Sequence, residues 1–148
     1  MTMMKSLMIG AAMVMASISA APAVAQESSY RPGTVWEASR IKVMPGQFEN
    51  YMDWLAKNWK RNQEALKAEG MVIDYHVLAT NNRRNDEPHL ILIIEYKDYM
   101  TTAQLEAMRK KVNPLMAQDD RSGATAGAVR GAMREQIGTT QYQELILK

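Results

Sequence analysis

The stretch Leu90-Ile91-Leu92-Ile93-Ile94 decides the fold of this chain. Five consecutive large apolar residues lack the alternation of a strand with one face in water, so both faces of this strand are predicted to be shielded. One layer of helices can cover only one face of a sheet. We therefore expect a second surface to cover the other face, and a second copy of the same sheet is the simplest candidate.

Strand and turn patterns lie next to this stretch. Residues 89–96 are predicted to form the strand that contains it, and a polar turn at residues 81–88 joins it to a strand at residues 71–80. Near the start of the domain, residues 34–43 alternate well enough to form another strand. These patterns predict a hairpin and one further strand in the same sheet.

A long amphipathic helix is predicted between the first two strands. It begins near Gln47, after the Pro45-Gly46 stop, and ends at Gly70. Asn62 lies within its apolar stripe, where a Leu would be expected, and a buried amide needs a partner. The other members of the predicted stripe are Phe48, Met52, Leu55, Trp59 and Leu66.

The pattern Thr101-x-x-Gln104 is typical of a capping box and predicts the start of a second helix. Pro114 is expected to kink or interrupt that helix. After a break at residues 118–122, residues 123–137 are predicted to be helical again, with Gly138 as the C-terminal stop.

In this last helix, Val129 and Met133 are predicted to face inward. The spacing Gly123-x-x-x-Gly127-x-x-x-Gly131 places three glycines on one helical face, which would permit close backbone approach to a neighbouring element. Residues 142–147 are predicted to close the chain as a fourth strand.

The element order predicts an α+β fold of the ferredoxin-like, split β-α-β kind, in which two helices cover one face of a four-stranded antiparallel sheet. Three motifs within residues 34–148 resemble the dimeric α/β-barrel superfamily: Val43-Met44-Pro45-Gly46 followed by Phe48, the helix up to Gly70, and Arg134-Glu135-Gln136-Ile137-Gly138-Thr139. The chain is most similar to small exported bacterial members without an assigned activity, and more distantly to antibiotic biosynthesis monooxygenases.

The resemblance implies a homodimer in which two sheets join through their uncovered faces. It also implies a small-molecule pocket between each sheet and its helices. Superfamily members include cofactor-free oxygenases and proteins without known chemistry, so the fold alone selects no activity.

The first 25 residues have the features of a signal peptide. Lys5 gives a positive start, an apolar run follows, and Ala23-Val24-Ala25 is a small-residue cleavage signal. We expect cleavage after Ala25, a short linker at residues 26–33, and a protein that is exported to the periplasm or secreted, without membrane attachment. An uncleaved anchor helix is the alternative.

Composition excludes several classes of function. Removal of residues 1–25 takes away one charged residue, Lys5, and leaves 17 basic against 16 acidic residues, a net charge of +1. Because the two signs are interleaved along the chain, nucleic acid is not an expected partner. The chain has no Cys, which excludes thiol nucleophiles and Cys-ligated metals. We expect no cofactor.

His76 and Asp74 are the candidate catalytic residues, because they share one face of the second strand and a carboxylate raises the basicity of a neighbouring imidazole. The alternative is a hydrogen-bonded histidine at a dimer interface. A hairpin symmetric about Arg84-Asn85 places His89 opposite Thr80, roughly 13 Å from His76 at about 3.3 Å per residue. The two histidines therefore cannot share one ion, and no metal site is expected.

Four residues are candidates for ligand binding. Trp36 and Trp59 could stack on an aromatic ligand, Tyr75 could line the same pocket, and Asn62 could bind a ligand or water. Core packing is the alternative for the tryptophans, and a hydrogen bond to nearby backbone is the alternative for Asn62.

Two functions remain open from the sequence. The first is an exported homodimeric binding or structural module that carries a small apolar ligand. The second is a cofactor-independent, monooxygenase-like enzyme that acts on a small apolar or aromatic substrate, with His76 as its base.

Overall fold

The computed structural model describes residues 27–115 and 119–148 of the 148-residue chain, so the predicted leader lies outside the described residues. No helix in these ranges is long and apolar enough to cross a membrane. The elements are β1 (Tyr30–Val43), α1 (Phe48–Trp54), a π-helical segment (Leu55–Trp59), α2 (Lys60–Ala68), β2 (Asp74–Ala79), β3 (Leu90–Tyr96), α3 (Thr102–Leu115), α4 (Asp120–Met133) and β4 (Arg134–Leu147).

The four strands form one antiparallel sheet in the order β2-β3-β1-β4. The α+β class is therefore confirmed, and the strand order is consistent with the ferredoxin-like arrangement expected from the sequence. β1 and β3 are the central strands, and Val35 lies opposite Tyr96 while Ile41 lies opposite Leu90. Two register shifts interrupt the pairing of β1 with β4, between Pro32 and Val35 and between Arg40 and Ile41.

The helices pack against one face of the sheet, here named the covered face. Alternate residues of β1 and β3 point toward them and form the core in two clusters, because successive side chains of a strand lie on opposite faces. The first cluster consists of Ile41, Val43, Tyr51, Leu55, Leu90 and Leu92. The second consists of Val35, Leu66, Val72 and Tyr96.

The opposite face, here named the open face, has no helix from the described residues packed over it. Trp36, Ile91 and Ile93 are only half-buried there, and Leu78 and Tyr142 are 48% and 57% exposed. Within residues 90–94, Leu90 and Leu92 are therefore buried on the covered face, whereas Ile91 and Ile93 remain partly accessible on the open face of the isolated chain.

The long helix predicted at residues 47–70 is confirmed in position, and it ends as the sequence predicts. Gly70 has a positive φ of 69°. Its N–H donates to Lys67 O and the N–H of Met71 donates to Leu66 O, the hydrogen-bond pair of a Schellman motif. Phe48, a member of the predicted buried stripe, is 43% exposed, and it is the first residue of α1.

Two local predictions are confirmed by hydrogen bonds. The N–H of Thr80 donates to His89 O, so the hairpin has the predicted register. At the start of α3, the N–H of Thr101 donates to Gln104 Oε1 and the N–H of Gln104 donates to Thr101 Oγ1, which completes the capping box. Pro114 lies inside α3, and the helix continues through it to Leu115, the last residue before the undescribed residues 116–118.

The end of the chain differs from the prediction. α4 ends at Met133, and β4 runs without a loop from Arg134 to Leu147, so residues 134–137 are strand rather than helix. Gly138 is a strand residue that leaves space for the Arg40 side chain, since a Cβ at this position would lie 3.2 Å from Arg40 Nη2. Long-range pairing with β1 overrides the local helix preference of this segment.

Three smaller predictions also require correction. Residues 30–33, predicted as linker, are the first residues of β1, and the first three of them pair with the end of β4. Val129 is 59% exposed, whereas Met133 packs against the core as predicted. The α4 glycines do not mediate close packing, because a Cβ built on Gly123 or Gly131 meets no atom within 4 Å.

Candidate functional site

A cleft of about 370 Å³ lies between the covered face of the sheet and the helices. This volume falls within the range of small-molecule sites. Its apolar lining comes from Ile41, Leu92, Ile94, Trp54 and Trp59, and its polar lining from Glu37, Ser39, Tyr51, Asn62, Gln63, Arg130, Arg134 and Gln136. The cleft therefore combines an apolar floor with polar groups of both signs.

The π-helical segment sets which side chains reach the cleft. The N–H of Lys60 donates to Leu55 O, a bond that spans five residues instead of the usual four. The wider turn contains one extra residue, and Trp54 and Trp59, five residues apart, both line the cleft. π-helical turns within α-helices occur frequently at functional sites.

Four buried polar atoms have no hydrogen-bond partner among residues 27–115 and 119–148: Tyr51 Oη, Asn62 Oδ1, Gln63 Oε1 and Arg134 Nε. All four belong to residues that line the cleft. Tyr51 is fully buried and Gln63 is 3% exposed. Each unpaired buried polar group costs about 1–3 kcal/mol. Four residues with unsatisfied buried polar groups therefore line one cavity.

Two arginines lie over aromatic rings at one end of the cleft. Arg130 Cζ is 5.2 Å from the centroid of Trp54, and Arg134 Cζ is 6.0 Å from the centroid of Tyr51. The Tyr51 and Trp54 rings are themselves parallel within 1°, with centroids 6.0 Å apart. These cation–π contacts hold both guanidinium groups against the wall of the cleft.

Burial and the positive charges of the two arginines shift pKa values at the end of the cleft where Arg130 and Arg134 lie. Burial raises the pKa of Tyr51, and the positive charges of Arg134 and Arg130 act in the opposite direction. Burial, followed by the nearby Arg134 charge, lowers the pKa of Arg130. Like charges held together in a partly buried site destabilise each other and favour a bound anion.

Asn62 and Trp59, both predicted ligand-binding residues, line the cleft. Tyr75, a third, packs behind Trp59, with ring centroids 5.3 Å apart in an edge-on contact. The Tyr75 hydroxyl donates to Glu64, and this hydrogen bond raises the pKa of Tyr75 to about 12. Tyr75 thus fixes the position of Trp59 instead of lining the cleft.

The candidate catalytic pair lies elsewhere. His76 and Asp74 are on the open face, where His76 Nε2 is 4.0 Å from Asp74 Oδ2 and both side chains are 44% exposed. Lys67 donates to Asp74 at 2.9 Å, and this hydrogen bond lowers the pKa of Asp74. Trp36, the fourth predicted ligand-binding residue, stacks on His76 with centroids 6.1 Å apart. The structure brings these three residues together, but on the face opposite the cleft.

His89 has a structural hydrogen bond. Its Nδ1 accepts from the backbone N–H of Val43 at 3.0 Å, and burial lowers its pKa. Within residues 27–115 and 119–148, no group of three or more His, Cys, Asp or Glu side chains is arranged to hold a metal ion.

A larger concavity of about 480 Å³ lies at the end of β3, between Gly70, Tyr96 and the start of α3. None of the four unpartnered buried atoms belongs to a residue that lines it. The smaller cleft is therefore the better candidate for a specific site, despite its volume.

Four residues of the cleft were not predicted from the sequence patterns: Tyr51, Gln63, Arg130 and Arg134. One signal for Arg130 was present, because none of the residues three or four positions away on its helix is acidic, as a surface Arg–carboxylate pair would require. Tyr51 and Gln63 flank the predicted apolar stripe, and only the packed structure shows that they are buried.

No family model matches the sequence. No curated protein matches it either. Among solved structures, HapK from Hahella chejuensis is similar with a TM-score of 0.50 and 12% identity, over 74% of this chain and 91% of that chain. Protein SO0527 from Shewanella oneidensis is similar with a TM-score of 0.50 and 15% identity, over 79% of this chain and 98% of that chain. At such identities the likeness concerns the fold alone, and it agrees with a ferredoxin-like arrangement of one antiparallel sheet and its helices.

Proposed function

We propose that this chain is an exported homodimeric protein that binds a small molecule in the cleft between sheet and helices. The single observation that carries the proposal is that all four residues with unpartnered buried polar atoms line that cleft. A cleft that serves only packing would be lined by apolar side chains or by polar groups bonded to one another.

Two further observations support the export and dimer parts of the proposal. The leader-like pattern ends in Ala23-Val24-Ala25, which suits cleavage before Gln26. The open face carries Leu78, Ile93 and Tyr142, whose apolar surface a second sheet would remove from water. In such a dimer each protomer would keep its own cleft, because the cleft lies on the covered face.

The geometry does not favour the monooxygenase-like alternative in the form that uses His76 as a base. His76 lies on the open face, and the described lining of the cleft contains no histidine. Binding without turnover is therefore the function that we propose.

Native mass spectrometry of protein recovered from the periplasm tests this proposal in one spectrum. We expect the subunit mass of a chain that begins at Gln26, a dimer, and extra mass from a retained small molecule in part of the population. A ligand should also quench tryptophan fluorescence, since Trp54 and Trp59 line the cleft.

The Asn62→Ala variant should lose most of this retained mass and quenching. Asn50→Ala is the matched control, because Asn50 is an exposed residue of the same long helix. Equal ligand retention in both variants and the parent would show that the cleft is not the site. A failure of a broad set of small aromatic and aliphatic probes to bind would contradict the proposed function.

A further inference from the structure

We infer that the ligand of the cleft is a planar ring compound with a carboxylate, whose anionic group lies against Arg130 and Arg134. This inference rests on the proposed function and adds the charge and shape of the ligand.

The two guanidinium groups lack an acidic partner. Neither Arg130 nor Arg134 forms an ion pair within the part of the chain that the structure describes, whereas Lys67 and Lys111 do. Arg134 bonds only the neutral Gln136, through Nη1 at 2.9 Å, and its buried Nε has no acceptor. Glu37 lines the same cleft, but its carboxylate accepts from Gln141.

The remaining residues of this sequence cannot supply the missing anion. Residues 1–26 and 116–118 contain no Asp or Glu. Asp120 lies at the opposite end of α4 from Arg130, roughly 15 Å along the helix at about 1.5 Å per residue. The described residues therefore leave this end of the cleft open to the anionic group of a bound molecule.

Several donors converge where that anion would bind. The Tyr51 hydroxyl is fully buried and unpaired, and Arg134 Cζ lies 6.0 Å from the centroid of the Tyr51 ring. Two guanidinium groups and a phenol can together bind the two oxygens of a carboxylate with charge-assisted hydrogen bonds.

The walls fit a flat ring. Tyr51 and Trp54 stand parallel, Trp59 follows on the other side of the π-helical turn, and the sheet contributes Leu92 and Ile94 as an apolar floor. Asn62 and Gln63 also line the cleft, and their side-chain oxygens, Oδ1 and Oε1, accept no hydrogen bond from the described residues. A hydroxyl or amino group on the ring, distant from the carboxylate, would satisfy one of them.

Titration with para-hydroxybenzoate and with para-hydroxybenzyl alcohol tests the inference, since the two probes share the ring and hydroxyl and differ in the charge. Binding is measured by tryptophan fluorescence and calorimetry. We expect the carboxylate to bind at least about tenfold more tightly, because charge-assisted hydrogen bonds add about that factor. Added salt should weaken the carboxylate complex and leave the alcohol complex nearly unchanged.

The variants Arg130→Gln and Arg134→Gln should each lower the carboxylate affinity roughly tenfold and change the alcohol affinity less than about twofold. Arg130→Lys keeps the charge and should retain part of the preference. Arg121→Gln is the matched control, because Arg121 is an exposed residue of the same helix.

Equal affinities for the two probes, or an equal loss of both in the arginine variants, would overturn the inference while leaving a binding cleft in place. A lack of binding by either probe and by any member of a mixed set of neutral and anionic aromatics would overturn the proposed function as well. The salt dependence is measured on the unmodified protein, so the test does not depend on how well a variant folds.

Discussion

A fully buried tyrosine hydroxyl without a hydrogen-bond partner costs free energy, and Tyr51 carries such a hydroxyl. The Tyr51→Phe variant removes the hydroxyl and keeps the ring that stacks on Trp54. We expect the free energy of unfolding to stay the same or to rise by about 1 kcal/mol, because an unsatisfied group is removed. Urea denaturation of the two proteins measures the difference.

The same variant should bind the ligand of the cleft more weakly. Such a combination, greater stability with lower affinity, is the signature of a group kept for function. A loss of more than about 1 kcal/mol of stability in Tyr51→Phe would mean instead that the hydroxyl serves the fold.

Tyr75 gives a prediction about alkaline pH. Its hydrogen bond to Glu64 raises its pKa from 10.0 to about 12. The folded protein therefore holds this proton more tightly than the unfolded chain does. The stabilisation is complete below pH 10 and is lost as the pH rises through about 12.

Spectroscopic titration of tyrosinate absorbance measures this pKa, with Tyr75→Phe as the reference that isolates one of the six tyrosines. In Glu64→Gln the pKa of Tyr75 should fall back toward 10.0, since the charged acceptor is lost. Indistinguishable titration curves for the parent and Glu64→Gln would show that the hydrogen bond does not control the pKa.

At the residue scale, the sequence was sufficient to predict Asn62 as a candidate ligand-binding residue, but it was not sufficient to predict Arg134. An amide within an apolar helical stripe is visible in the sequence because helical periodicity fixes the face on which it lies. The role of Arg134 depends on how a strand residue packs against Tyr51, which is 83 positions away in the chain. No local pattern contains that contact.

At the scale of elements, the π-helical segment sets the spacing of the two tryptophans, Trp54 and Trp59, that the long helix presents to the cleft. Removal of Lys57, whose side chain is 76% exposed, would leave Leu55 and Lys60 four residues apart and restore an ordinary α-helical bond. We expect the free energy of unfolding to stay within about 1 kcal/mol of the parent value, because an exposed residue is lost and no core residue changes.

Ligand affinity should nevertheless fall roughly tenfold in this deletion variant. Trp54 and Trp59 stay on one face of the helix but become four residues apart in a narrower turn, so their spacing along the cleft changes and one aromatic contact is lost. Lys57→Ala is the matched control, since it removes the same side chain and keeps the chain length. Fluorescence titration of both variants checks the result, and equal affinities would show that the wide turn does not shape the site.

Elements with strong local signals were predictable, and those decided by distant pairing were not. The hairpin and the capping box at Thr101 follow from turn residues and short-range hydrogen bonds. The segment Arg134-Glu135-Gln136 consists of good helix formers, yet it pairs with Val43, Lys42 and Ile41. A partner about 90 residues away is invisible to a pattern read in a short window.

At the scale of the whole molecule, the open face gives a prediction about assembly. In Leu78→Glu, a carboxylate replaces a 48% exposed side chain of β2 on the open face, within the proposed dimer contact. We expect dimerisation to weaken at least about 100-fold, because burial of an unpaired charge costs several kcal/mol. Sedimentation velocity measures the monomer fraction.

Leu105→Glu is the control for this experiment, since Leu105 is 45% exposed and lies on α3, away from the open face. It should leave the dimer intact. A parent protein that sediments as a monomer at all accessible concentrations would contradict the assembly part of the proposed function.

The direct passage from α4 into β4 has a mechanical consequence for the cleft. Arg130 belongs to the helix and Arg134 to the strand, and the backbone N–H of Arg134 donates to Arg130 O across the joint. Since β1 anchors the strand side, fraying of the last helical turn would pull the two cations apart, and an occupant that bridges them would suppress the fraying. Hydrogen exchange of the backbone amides at this joint would then slow when the ligand is bound. The exchange rate at Arg134 would therefore report whether the cleft is occupied.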